Sequence, residues 1–283
     1  MPAPFDSKDQ TSHIKHSDVI PLNRKQFPSS KSELFQALEE AAHRFIPKTG
    51  EIVDLRSRVF PYIDEIAVNA DGTHFDQPPP PLTTPQGETT HVFEAANLKI
   101  SARDIFIRDL PVSGRLEAHD LDLHRGQDEN GDAMLIIHRV HDGTLSISAT
   151  QIDLEQAITK IARAQGRGIS VEQVRLAMRA RGPRSIAFDV QIHAKKLLFR
   201  ARIDISGQID IDEKLVMRAS NLKCKSDGGI GSIACTALEP VFRDVESKPF
   251  ALGSLPLGEI EIRDVRVTVA DTVEITADFG SPS

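Results

Sequence analysis

The residues best suited to chemistry are a group of histidines and aspartates near the middle of the chain. Most of them lie in the segment HDLDLH at 119–124. Side chains two positions apart on a strand share a face, so the two aspartates and the second histidine of this segment could converge with a histidine on the next strand. Zinc sites need three or four such ligands in a tetrahedral array. The group comprises His119, Asp120, Asp122, His124 and His138.

The apolar residues between them offer a simpler interpretation of the same spacing. Leu121 and Leu123 would face the core, and their polar neighbours would face water. We therefore predict no metal site and no cofactor. The sequence also contains no G-x-S-x-G motif, and its cysteines lack the surroundings of a cysteine enzyme. We predict that the protein is not an enzyme.

Composition places the 283-residue chain among globular proteins with a mild acidic excess. It has 34 Lys+Arg against 41 Asp+Glu, a net charge of −7, and 40% hydrophobic residues. Binding to nucleic acid usually needs a basic face that displaces counterions, so we expect no nucleic-acid partner.

The cysteines and the first thirty residues lead to expectations about the compartment. Two cysteines, Cys224 and Cys235, do not make a disulfide framework, and we expect reduced thiols. They could pair only if the fold brought their Cα atoms within about 7 Å. Residues 1–30 contain no apolar segment of the kind found in secretory signals. We expect a cytoplasmic protein, or a periplasmic or envelope protein if a native leader is missing. The longest apolar run, residues 133–137, is too short to cross a bilayer.

The pattern divides the chain into three parts. Residues 1–30 are polar and are predicted to be a mobile tail. Residues 31–88 contain a helix that begins with a capping box at Ser30 and Glu33, an ambiguous segment at 51–76, and a proline-rich linker at 77–87. Residues 89–283 form the main predicted domain.

Alternating apolar residues predict strands from Thr89 onward, with phase slips after Ala102 and Ala118 that indicate β-bulges or strand breaks. The segments 126–132 and 141–143 are predicted to be hairpin turns. Helical spacing follows at 152–162 and at 230–247, where Pro240 should kink or split the helix. Strands between these helices and a final hairpin at 260–279 complete an α+β fold.

Residues 133 to 280 resemble the LmeA-like bacterial lipid-binding domain of the tubular lipid-binding (TULIP) superfamily. The matching segments are DGTLSISATQIDLEQAI at 142–158, ISVEQVRLAMRARG at 169–182, GSIACTALEPVF at 231–242, and LPLGEIEIRDVRVTVADTVEITADFG at 255–280. The resemblance implies a long curved antiparallel sheet wrapped around a C-terminal helix, with an elongated apolar cleft. It also implies binding of phospholipid, fatty acid or another hydrophobic molecule without catalysis.

The apolar residues of the later strands and of the second helix are the predicted lining of that cleft. They are Ile186, Phe188, Val190, Ile192, Phe199, Ile203, Ile205, Ile233, Leu238, Val241, Phe242, Val245, Ile262, Val267, Val269, Ile275 and Phe279. A membrane surface is a second candidate partner, because a basic run at 175–184 could meet anionic headgroups, although a solvated face explains the run more simply. The alternatives are a scaffolding protein with a fully packed core and an accessory enzyme that acts on a hydrophobic substrate.

Overall fold

The computed structural model describes a mostly β protein with three helices in the described ranges. Those ranges are 19–75, 84–107, 110–165, 170–196, 199–252 and 260–282. The prolines of the predicted linker, at 78–81, lie outside them, as does most of the predicted tail. The α+β class is confirmed, and both sheets are mainly antiparallel.

The larger sheet contains most strands of the chain, from both sides of the proline run. The strands are β1 (Val19–Pro21), β2 (Val53–Arg56), β3 (Tyr62–Ile63), β4 (Glu65–Asn69), β5 (His74–Phe75), β6 (Gln86–Ile107), β7 (Leu110–Gln127), β8 (Ala133–Thr150), β14 (Glu261–Val269) and β15 (Thr272–Gly280). Its central order is β14-β15-β8-β7-β6-β4-β2, while β1 pairs with β8, and β3 and β5 pair with β6.

Part of the stretch predicted to be a mobile tail belongs to this sheet. Val19–Pro21 pairs with Met134–Ile136 of β8, and Leu22 is fully buried. Strands β3, β4 and β5 run parallel to β6, so the described part of the ambiguous segment, 51–75, contains short strands that are built onto its edge.

Helix α1 (Lys31–Phe45) begins and docks through side-chain hydrogen bonds, as the capping pattern predicts. The Ser30 hydroxyl accepts from the Glu33 N–H, and the Glu33 carboxylate accepts from the N–H and hydroxyl of Ser29 rather than of Ser30. Further along, the Glu39 carboxylate accepts from the N–H groups of Ile52 and Val53, at 2.8 and 2.7 Å. These bonds hold the helix to β2.

Two phase slips are predicted in the long central strands. The first, after Ala102, is a β-bulge in the structure, and the second, after Ala118, takes a different form. The β6–β7 register shifts between Ala102 and Ile105, as a bulge requires. At the second phase slip, Asp120 has a φ of 50°, while the pairing of β6 with β7 keeps one register on either side of it.

The predicted hairpin turn at 141–143 is wrong. These residues lie within β8, which continues unbroken to Thr150. Gly143 is needed here for close packing, because a Cβ at this position would lie 2.4 Å from the ring of Phe279 and 2.9 Å from the carbonyl oxygen of Glu117. The sequence alone does not distinguish a glycine that makes room for an aromatic ring from a glycine that forms a turn, and this explains the wrong prediction.

The smaller sheet is bordered by helix α2 (Gln151–Gln165), which protects one of its edges. Its strands are β9 (Ser170–Gly182), β10 (Ser185–Lys196), β11 (Phe199–Ile211), β12 (Val216–Asp227) and β13 (Phe250–Ala251), in the order β13-β12-β11-β10-β9. Side chains of Glu155 and Gln151 accept from the N–H groups of Leu176 and Met178, at 2.8 and 3.0 Å. The helix thus satisfies backbone groups that an edge strand would leave unpaired.

Helix α3 (Gly229–Ser247) bears on two expectations. It continues through Pro240 as one helix and does not split, and a kink at Pro240 stays a prediction. Cys224 of β12 and Cys235 of α3 form a disulfide, with their Cα atoms 5.4 Å apart. The expectation of two reduced thiols is wrong, because the turn between β12 and α3 folds the helix back along its own strand.

The two sheets meet where the β9–β10 turn contacts the outer edge of β14. The Val267 N–H donates to the carbonyl oxygen of Pro183, at 2.7 Å, and Arg184 forms an ion pair with Asp264. Arg184 belongs to the basic run of the sequence, and Arg179 of the same run is paired with Asp189. Of the helices in the described ranges, none is both long and apolar enough to cross a membrane.

Substitution of Gly143 tests the packing that keeps β8 continuous. We expect Gly143→Ala to lower the free energy of unfolding by about 1–3 kcal/mol, because the new methyl group overpacks against Phe279. Urea denaturation measures the loss. Gly182→Ala is the control, since a methyl group at that position would meet nothing within 4 Å. Equal stability of the two variants would contradict the packing role.

The turn after β4 should make a pH-dependent contribution to stability. Burial would raise the pKa of Asp71, but hydrogen bonds from Ser101 and Arg103 and the charge of Arg103 outweigh it and lower the pKa from 3.8 to about 2. The folded-state pKa lies below the ordinary value, so this stabilisation is complete above pH 3.8 and is lost as the pH falls towards 2.

We therefore expect Asp71→Asn to be less stable than the wild type at neutral pH and to lose less stability on acidification. Urea denaturation at a series of pH values between neutral and strongly acid measures the difference. Parallel pH profiles for the two proteins would show that Asp71 does not contribute in this way.

Candidate functional site

An apolar cavity of about 360 Å³ lies between α1 and the inner face of the larger sheet. The helix contributes one wall, and strands β2, β4, β6, β7 and β8 contribute the floor. Every lining residue is apolar: Val19, Ile20, Leu38, Ala41, Ala42, Phe45, Ile46, Val53, Ile66, Val68, Leu98, Ile100, Leu116, Leu121, Leu123, Leu135 and Ile137.

Small residues on α1 explain why the helix covers the sheet without filling the space beneath it. Leu34 and Ala37 are fully buried in the core, where the helix packs closely. One turn later, Ala41 and Ala42 face the cavity with single methyl groups, while Leu38 and Phe45 stand on either side. The apolar stripe of the helix is therefore continuous, but its side chains are short at the centre of the cavity.

The apolar floor continues beyond the helix. Leu116, which lines the cavity, is paired across the ladder with Leu145 of β8. On the next apolar rung Ile147 is paired with Gly114 and with Ile275, and these two isoleucines are 48% and 45% exposed. Directly paired residues share a face, so an uncovered apolar strip extends from the cavity towards β15.

None of the residues predicted to line a cleft contacts this cavity; the structure places them in three other regions. Ile262, Val267, Val269, Ile275 and Phe279 lie on the hairpin at one edge of the larger sheet. Ile186, Phe188, Val190, Ile192, Ile203 and Ile205 lie side by side on β10 and β11, and Phe199 begins β11, although its side chain is outside the described part. That all of them line one cleft stays a prediction.

The predicted residues of α3 divide between a sheet-facing and an exposed row. Leu238 and Phe242 are partly buried, whereas Ile233, Val241 and Val245 are 73%, 52% and 43% exposed. Ile233, Val241 and Val245 are eight and four residues apart, so they form a stripe along one side of the helix.

Two of the predicted residues, Val190 and Ile205, line an open groove of about 690 Å³ on the smaller sheet. This groove has a mixed lining that is rich in charge. Its charged lining residues are Glu155, Arg175, Asp189, Arg202, Asp204 and Lys225. Such a lining suits an acyl chain less well than the cavity under α1 does.

A second candidate site lies on the opposite face of the larger sheet. The ligand atoms of Asp122, His124 and His138 lie within 4.8 Å of one another. The rings of His124 and His138 are stacked with centroids 4.1 Å apart, and the ring of His91 stands edge-on to His124 at 5.9 Å. Thus the structure brings together three of the residues that the sequence singled out and adds His91.

The other two residues of the sequence group are placed differently. His119 is hydrogen-bonded to Asn97, with 2.9 Å between Nδ1 and Oδ1. Asp120 lines a polar groove of about 490 Å³ next to the histidines. The other polar residues that line this groove are Tyr62, His91, Glu94, Asp122 and Arg139.

The surroundings of His124, the central residue of the histidine cluster, favour its neutral form. Burial and the neighbouring His138 lower the pKa of His124, and the Asp122 carboxylate opposes them without reversing the shift. The Nε2 atoms of His91 and His124 lie 3.3 and 3.4 Å from Asp122 Oδ1. That oxygen is buried and has no hydrogen-bond partner among the described residues, so the two contacts are close in distance but lack hydrogen-bond geometry.

Sequence reasoning identified the apolar faces but not the cavity. The stripe of α1 and the alternation of β6 and β7 each predict a buried face, and those faces supply much of the lining. Nothing in the periodicity indicates that α1 lies over these strands, or that a gap remains where alanines meet them.

No family model, curated protein or solved structure matches this chain. The functional argument therefore rests on the geometry of the two sites.

Proposed function

We propose that the protein binds the acyl chain of a phospholipid or fatty acid, without transforming it, in the cavity between α1 and the larger sheet. The observation that carries this proposal is a cavity of about 360 Å³ that is lined by apolar side chains. Ligand pockets commonly start at about 300 Å³, and an engineered apolar cavity of about 150 Å³ already binds benzene. The space is adequate for part of an acyl chain.

Burial of methylene groups supplies the driving force. Each methylene removed from water contributes about 0.8 kcal/mol, and no lining side chain offers a hydrogen-bond donor that would favour a polar ligand. The uncovered strip at Ile147 and Ile275 extends the apolar path beyond the helix. A chain that leaves the cavity could continue along this strip towards solvent, where a headgroup stays hydrated.

Membership of the TULIP superfamily is part of this proposal and is supported by the resemblance of the sequence and by the long antiparallel sheet. The proposal keeps the ligand class that the resemblance implies, but it places the ligand under the N-terminal helix. The Cys224–Cys235 disulfide favours an oxidising compartment such as the periplasm or envelope over the cytoplasm.

The cavity also weighs against the scaffolding alternative. That alternative assumes a fully packed core, and close packing normally leaves few spaces larger than a water molecule.

A cavity-filling substitution tests the location of the ligand. We expect Ala41→Leu to weaken uptake of a dansyl-labelled fatty acid by at least about tenfold, because the added isobutyl atoms occupy space that the chain needs. Fluorescence titration of delipidated protein measures the uptake. Stability should be unchanged or higher, since filling a void commonly stabilises a protein.

The matched control makes the same change on an exposed helical position. Ala164 lies on the surface of α2, away from the lining residues, and Ala164→Leu should bind the probe as the wild type does. Wild-type uptake by folded Ala41→Leu protein would refute the cavity as the binding site.

Chain length provides an independent test of the driving force. We expect the affinity for saturated fatty acids to rise about fourfold for each added methylene until the cavity is full, and then to level off. Displacement of the dansyl probe by fatty acids of increasing length measures the series. An affinity that does not depend on chain length would contradict burial in an apolar cavity.

A further inference from the structure

The outer face of the cavity floor carries the histidine cluster described above. On β7, Leu121 and Leu123 line the cavity, and Asp122 and His124 alternate with them and point to the other side of the sheet. The β7–β8 register shifts between Asp122 and Leu123, because Asp122 is paired with Arg139 and Leu123 with Ile137. His138 is the extra residue of this bulge, and its ring stacks on His124.

Two of the distances in this group match those between the ligands of a metal ion. Two atoms that each lie 2.0–2.1 Å from a tetrahedral zinc ion are about 3.3–3.4 Å apart. Asp122 Oδ1 lies 3.3 Å from His91 Nε2 and 3.4 Å from His124 Nε2. His138 presents a further nitrogen within 4.8 Å of the ligand atoms of Asp122 and His124, on an exposed side chain whose ring stacks on that of His124.

An independent observation concerns the carboxylate. Asp122 Oδ1 is buried, and it accepts no hydrogen bond from the described residues although two imidazole nitrogens are near. Buried polar atoms normally have a partner, and an orphaned carboxylate oxygen beside imidazole nitrogens is the environment that a cation would satisfy.

A neighbouring hydroxyl also orients the central ring. The Thr89 hydroxyl lies 3.1 Å from His124 Nδ1. When Nδ1 carries the ring proton and donates to this hydroxyl, Nε2 presents its lone pair towards Asp122. Metal-binding histidines commonly use their second nitrogen in this way.

We propose that Asp122, His124 and His138, together with His91, bind a divalent transition-metal ion of the zinc class. Imidazole nitrogens with one carboxylate suit zinc, cobalt or nickel, whereas calcium and magnesium prefer oxygen ligands. The ion would link β6, β7 and β8 on the outer face of the cavity floor. The adjoining polar groove, which Glu94 and Arg139 also line, gives solvent access to the ion. The proposal does not depend on lipid binding.

Calorimetric titration of EDTA-treated full-length protein with Zn²⁺ tests the proposal. We expect one tight site and a thermal midpoint that rises when Zn²⁺ is present. Asp122→Asn and His124→Ala should each weaken this site by more than about 100-fold, because even the loss of a second-shell partner costs roughly 10–100-fold. The absorption spectrum of the Co²⁺-loaded protein reports tetrahedral coordination by these ligands.

Two further variants make the test decisive. His138→Ala alters an exposed side chain, and so it separates loss of a ligand from loss of the fold. His119→Ala removes a histidine of the same strand that is hydrogen-bonded to Asn97, and it should bind Zn²⁺ as the wild type does. The proposal is overturned if the wild type shows no tight site. It is also overturned if all four variants bind Zn²⁺ equally, which would indicate adventitious binding to surface histidines.

Discussion

The inner face of the larger sheet must be shielded from water, and the rest of the structure follows from how this is achieved. Strands β6, β7 and β8 are unusually long, and their inner residues are apolar along most of their length. Helix α1 covers only one end of that surface, where Leu34 and Ala37 are fully buried. The hydrogen bonds that Glu39 accepts from the N–H groups of Ile52 and Val53 hold the helix to the start of β2. The cavity exists because the helix is held there while Ala41 and Ala42 are too short to reach the floor.

The smaller sheet is also protected by helices. Helix α2 lies along β9 and supplies acceptors for backbone N–H groups, so the edge strand is not free to pair with another chain. Helix α3 is joined to β12 by the disulfide and by a hydrogen bond from the Leu222 N–H to Glu246. Each sheet is thus accompanied by helices that are tied to a neighbouring strand by specific polar or covalent links rather than by apolar burial alone.

One strand serves both candidate sites. Alternation along β7 directs Leu121 and Leu123 into the cavity and Asp122 and His124 to the opposite face. The bulge at His138 adds a third ligand group without disturbing Ile137, which remains in the cavity lining. A ligand on either face would therefore act on the same three strands, since the backbone between the cavity and the histidines is only one layer thick.

The sequence alone determined most of the local structure, because periodicity and caps depend on near neighbours. It predicted α1 with its Ser30 cap, helix α2, the final hairpin and the α+β class. It could not predict that Gly143 makes room for Phe279, since these residues lie far apart in the chain. The Cys224–Cys235 disulfide likewise depends on how α3 folds back along β12. The approach of His91 to the other residues of the histidine cluster depends on the pairing of β6 with β7. Only the tertiary structure decided which apolar faces meet and where they leave a space, because the size of a cavity depends on side chains from elements distant in sequence.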